Sequence, residues 1–137
     1  MADLSAQVFN ANLNDLASDL RGVGTDVKRK MPGVVRDAAK RGNRNARAFA
    51  SEDHTMHSDV DADYPLSFTV ERRGPMTYEY GPDAALPQGS KAPGYEWGSI
   101  NQASPHRNLD RSRDIEAVEF PMDVSDEMRF IWQRAGF

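Results

Sequence analysis

The chain has 137 residues, 39% apolar and 28% charged, with a formal net charge of −4. That length fits one domain, spanning 1–137, whose single core removes roughly two thirds of the unfolded surface from water. Cysteine is absent, which excludes disulfide scaffolds and thiol chemistry. No apolar run approaches the roughly 18 residues of a membrane span, and Met1–Ser5 lacks the basic and apolar regions of a signal peptide. The expectation is a protein made and folded in a cytoplasm, with no membrane partner.

Ala2 to Leu20 reads as an amphipathic helix, because Phe9, Leu13, Leu16 and Leu20 fall on one face. Gly22 and Gly24 weaken helix locally. Val27, Met31, Val34, Val35 and Ala38 then continue the same 3–4 spacing. Pro32 removes one helical hydrogen bond and crowds the preceding turn, so a kink or a new start near Met31 is expected. The reading is two helices, or one broken long helix, over about 3–49.

Charge is segregated along this region. From Lys28 to Arg47 there are eight basic residues and one acid, Asp37; from Glu52 to Asp63 there are five acids and no lysine or arginine. Lys40, Arg41, Arg44 and Arg47 form one stripe at helical spacing. Such a stripe is a solvated face, a contact for an acidic partner surface, or a contact for DNA. Nucleic-acid binders interleave aromatics or are strongly basic overall, and neither holds here.

Residues 51–64 read as a polar connection. His54 and His57 are three apart and Asp59, Asp61 and Asp63 alternate, but a calcium loop needs glycine at its sixth position, where Tyr64 stands. No metal is expected. Leu66 to Arg72 alternates, with Leu66, Phe68 and Val70 on one face, and Met76, Tyr78 and Tyr80 alternate after the Arg73-Gly74-Pro75 turn. This is a β-hairpin over about 66–81, and it needs the long helix as cover.

A glycine- and proline-rich loop is expected over 82–94, longer than most connections in a compact domain. Tyr95 and Trp97 alternate around Glu96, which allows a short third strand. Ser104-Pro105 is a sound helix start, with serine as cap and proline first. C-terminal helices follow over about 105–134, interrupted near Pro121, with Val124, Met128 and Ile131 on one face and Trp132 beside it. The fold class expected is α+β: a long N-terminal helical segment on a small antiparallel sheet, then C-terminal helices.

Chemistry is harder to find. No phosphate-binding glycine loop and no Gly-x-Ser-x-Gly elbow occurs. His106 and Glu96 are the only candidates for acid–base work, and no motif places a partner for either. Neither catalysis nor a cofactor is expected. The reading for Tyr95–Ser99 and Pro105–Leu109 is instead one interface surface. Tyr95 and Trp97 are aromatic anchors, the alternative being that Trp97 fills the domain's own core, and Gly98 allows close approach. Glu96 is placed to meet Arg44 or Arg47 of another copy. Pro105, His106 and Leu109 complete the surface.

The order Gly81-Pro82-Asp83, Gln88-Gly89, Glu96-Trp97-Gly98-Ser99, Asn101, Pro105-His106 and Leu109-Asp110-Arg111 resembles the small neck or tail-completion proteins of long-tailed bacteriophages. The motifs cover about a quarter of the chain; each is weak alone, and their order and spacing carry the likeness. The Pro-Val-Asp-Thr-Gly-type turn of many relatives has no counterpart in Ser51–Asp63. The resemblance implies a structural virion protein: a homo-oligomeric ring, six-fold in such families, between connector and tail proteins, with DNA passing through its channel. The alternative carried beside it is a nucleic-acid-binding module using residues 28–47.

Overall fold

The structure, a computed structural model, describes residues 2–52, 63–98 and 106–137, with side chains from residue 12 onward. Its order is helix α1 (Ala2–Ser51), a 3-10 turn (Pro65–Ser67), strand β1 (Phe68–Gly74), strand β2 (Thr77–Pro82), a 3-10 turn (Gly89–Lys91), helix α2 (Ala92–Trp97) and helix α3 (Asn108–Arg134). The α+β expectation holds, with a long first helix, a two-stranded antiparallel sheet and helices after it.

Three expected interruptions are absent. α1 runs unbroken through Gly22, Gly24 and Pro32, and α3 runs unbroken through Pro121. The reason is tertiary. Val23 is buried before Pro32, and Met31, Ala38 and Ala39 are buried beside and after it, so α1 is held on both sides of its missing hydrogen bond. The proposed third strand is a helix: Pro93 opens α2, where a missing N–H costs nothing, and Tyr95 and Trp97 point different ways. The Ser104-Pro105 helix start, and His54, His57, Asp59 and Asp61, lie outside the described residues.

α1 and α3 lie side by side and antiparallel. The Ser112 hydroxyl donates to the Gly42 carbonyl at 2.6 Å, while one turn away Arg41 reaches Glu116. At about 1.5 Å per residue, α1 is about 75 Å long and α3 about 40 Å. The hairpin covers the C-terminal part of α1. Its register pairs Phe68 with Pro82, Val70 with Tyr80 and Arg72 with Tyr78, with an irregularity at Arg73. Phe68 and Tyr80 face inward as expected, but Leu66 belongs to the 3-10 turn and is 59% exposed, and Met76 sits in the hairpin turn, also exposed.

The core is compact and aromatic. Ala46 and Ala50 give α1 a flat face, on which Tyr64, Phe68 and Tyr95 pack, flanked by Tyr80, Ala92 and Leu109. Tyr64 stacks on Tyr95 with centroids 4.3 Å apart and meets Phe68 edge-on at 5.2 Å. Among the described residues, no helix is long and apolar enough to cross a membrane.

Candidate functional site

The motif-dense stretch closes on Glu96. α2 holds this side chain fully buried against the start of α3. Its Oε1 accepts from the Tyr64 hydroxyl at 2.7 Å and from Asn108 Nδ2 at 3.3 Å; its Oε2 accepts from the Leu109 backbone N–H at 3.0 Å. These three described donors are all neutral.

Leu109 lies in the first turn of α3, where backbone N–H groups have no helical partner. The residue preceding the helix, Arg107, supplies no side-chain cap. Glu96 does so from another helix, and its negative oxygen sits at the positive end of the α3 dipole. Two backbone bonds fasten the same junction, from the His106 N–H to the Tyr95 carbonyl and from the Arg107 N–H to the Glu96 carbonyl, each 3.0 Å. Arg107 itself takes the left-handed region, φ 51°, to turn the chain into α3. Gly98 ends α2 at φ 88°, where any side chain would be strained.

Burial pushes the Tyr64 phenol well above the usual tyrosine range, and its bond to Glu96 adds to the effect. Tyr64 is therefore a fixed neutral donor. Both oxygens of Glu96 are engaged, and its side chain has no water-facing surface.

A second polar joint lies one turn along α3. The Ser112 hydroxyl, bonded to the Gly42 carbonyl, lies 3.0 Å from the Tyr80 hydroxyl. The Tyr80 ring occupies the space above Gly42, where an added Cβ would sit 2.6 Å from the ring. A third joint is Arg41, whose Nε and Nη2 reach the two oxygens of Glu116 at 2.7 Å each, with Glu119 at 3.0 Å and Asp123 at 2.8 Å. The paired Glu116 carboxylate, opposed in part by burial, moves the Arg41 guanidinium above its ordinary value. Arg41 thus belongs to the α1–α3 seam.

The sequence-derived interface set is divided by the structure. Tyr95 and Glu96 are buried and Leu109 half-buried, so Glu96 does not face the Arg44 or Arg47 of another copy. Trp97 is 58% exposed, beside an open groove of about 550 Å³ lined by Glu71, Arg73 and Glu79. Lys40, Arg44 and Arg47 are exposed, His106 is half-buried, and Pro105 lies outside the described residues. The segments around Tyr95 and Leu109 do come together, as a staple rather than an outer surface.

Sequence reasoning missed Tyr64, Gly42 and Ser112; it placed Tyr80 on the inward face of the hairpin and Asn108 within Pro105–Leu109, but gave neither its partner. Gly42 carried a signal of its own, a glycine within an otherwise helix-favouring run. Among the described residues, no group of His, Asp and Glu could hold a metal ion. Compared with protein-family models, curated proteins and solved structures, the chain matches none of them.

Proposed function

We propose that this chain is a non-catalytic structural protein of the neck or tail end of a long-tailed bacteriophage. It assembles into a homo-oligomeric ring, within the virion, that joins or completes the tail at the head–tail interface. One observation carries the reading: the described members of the motifs behind the phage resemblance, among them Gly81, Glu96, Gly98 and Leu109, gather at one joint. Gly81 admits Leu109, whose side chain would lie 3.4 Å from a Cβ there. Gly89 lies against the Asp83 backbone so closely that a side chain is excluded. Glu96 caps α3 and Gly98 ends α2. A stretch spent on holding two helices at a fixed angle, with its carboxylate closed to solvent, serves support better than turnover.

Light scattering on size-fractionated protein, over rising concentration, tests the proposal. The expected result is a defined multiple of 15.3 kDa, seen as rings by electron microscopy. A monomer throughout the range removes the reading.

The second reading, a nucleic-acid module, draws on one feature. Arg29, Arg36, Lys40, Arg44 and Arg47 are all exposed, and lie within about 80° of one another around α1, opposite Ala38, Gly42 and Ala46. Duplex binding that weakens steeply with salt would favour it.

A further inference from the structure

The outer face of the hairpin and the adjoining α2 form a groove of about 550 Å³ beside Trp97. Glu71, Glu79 and Asp83 line it against a single base, Arg73. Arg73 is already held, 3.1 Å from Glu71 and 2.9 Å from Glu79, so two carboxylates share one guanidinium. The exposed bases nearest in sequence, Arg72 and Lys91, do not line the groove. Glu71 and Glu79 stand opposite each other in the register, about 5 Å apart. Asp83 lies four residues beyond Glu79 on the same face, about 13 Å away. Excess negative charge therefore runs the length of the groove, with the exposed Trp97 indole on its wall.

The opposite charge lies unused on α1. Arg29 and Arg36 have local partners in Asp26 and Asp37, and Arg41 is taken up in the seam with α3. Lys40, Arg44 and Arg47 are exposed and meet no carboxylate among the described residues. No acid occurs between Asp37 and Glu52. The three bases span about 10 Å along the helix and about 60° around it. Phe68 and Tyr80 face α1, while Glu71 and Glu79 face away from it, so stripe and groove are separate patches of one copy.

We infer that Lys40, Arg44 and Arg47 of one copy dock in the Trp97 groove of the next. The occupant is a second copy of this chain because sign and spacing both match. Three unpaired bases within about 10 Å meet three carboxylates within about 13 Å, a difference that long, flexible side chains absorb. Trp97 offers its ring face to an arginine of the stripe, since a guanidinium stacks on indole. The two patches differ, so the contact is heterologous and passes from copy to copy, as a ring requires. Duplex DNA competes for the same stripe but gives the groove and Trp97 no role. The inference rests on the ring assembly proposed above and names the surfaces that make it.

A charge exchange tests it. Arg44→Glu with Arg47→Glu reverses the stripe. Glu79→Lys with Asp83→Asn leaves the groove two bases and one acid, and asparagine keeps an acceptor for the Ala85 N–H. All four positions are exposed, so circular dichroism should stay that of the wild type. Each variant alone should need a concentration about tenfold higher, or more, to assemble, because like charges then meet. Mixed in equal amounts, the two should assemble within about threefold of the wild-type concentration, and so should one chain carrying all four changes. If the wild type assembles and either variant does so equally well, the inference is overturned while the ring reading stands; a stripe variant that assembles but loses duplex binding assigns the stripe to nucleic acid instead. If both variants fail and neither the mixture nor the fourfold variant recovers, the two surfaces do not meet, and the inference is again overturned. A wild type that never assembles removes both.

Discussion

The Tyr64 hydroxyl donates to the Glu96 carboxylate at 2.7 Å, with both side chains fully buried. This bond links the segment entering the hairpin to the cap of the last helix. Tyr64→Phe removes it and leaves Oε1 of Glu96 with the 3.3 Å bond from Asn108. The expected cost is about 1.5–3 kcal/mol, as for a hydrogen bond to a buried charge. The loss should depend on pH. The folded-state phenol titrates above its unfolded value of about 10, so its contribution is complete below pH 10. Above that, the unfolded chain gives up the proton first and the contribution falls as pH rises. Urea unfolding of wild type and Tyr64→Phe should therefore show a constant gap up to about pH 10 that narrows beyond it. A gap that widens with alkali would contradict the assignment.

Gly42 and Gly22 should respond oppositely to alanine. Both are inside α1, where alanine is favoured over glycine by about 1 kcal/mol. At Gly22 an added Cβ meets nothing within 4 Å, so Gly22→Ala should stabilise by about 0.5–1 kcal/mol. At Gly42 it would stand 2.6 Å from the Tyr80 ring, which Ser112 anchors at the hydroxyl. Gly42→Ala should cost about 1–3 kcal/mol through overpacking. Thermal melts of the two single variants decide it, and Tyr80→Leu should recover part of the Gly42→Ala loss.

Arg41 holds three carboxylates on α3 with one guanidinium. Lysine keeps the charge but cannot grip both oxygens of Glu116. Arg41→Lys should therefore lose much of what Arg41→Gln loses, about 1.5–3 kcal/mol for the latter. Denaturant midpoints that are equal for Arg41→Lys and wild type would show that charge alone suffices.

How much of this was legible follows from where each determinant lies. The hairpin was readable because Phe68, Val70, Tyr78 and Tyr80 alternate over adjacent residues. The helices were readable by spacing, but their continuity was not. Pro32 and Pro121 are local breakers, overridden by a seam between residues about 75 apart, such as Arg41 and Glu116. Tyr95 and Trp97 illustrate a shorter ambiguity. Two aromatics two residues apart fit a strand as well as a six-residue helix, and only Pro93 at the helix start favoured the latter. The burial of Glu96 depends on Tyr64 and Leu109, 32 and 13 residues away, and no local pattern encodes that.

Trp97 supplies the sharpest separation of folding from assembly. It lies on α2 next to buried Tyr95 and Glu96, yet is 58% exposed. Its removal should leave the core untouched, so Trp97→Ala should change monomer stability by about 0.5 kcal/mol or less. A large exposed aromatic beside a polar groove is the kind of residue that anchors an interface. Under the proposed ring, Trp97→Ala should stay folded and assemble poorly. The side chain also reports on itself. With the other tryptophan removed by Trp132→Phe, Trp97 emission should shift to the blue as concentration drives assembly, because the indole leaves water. Emission that stays red-shifted in the assembled particle would place Trp97 outside the contact. A Trp97→Ala chain that unfolds in milder urea by several kcal/mol would instead place it in the core.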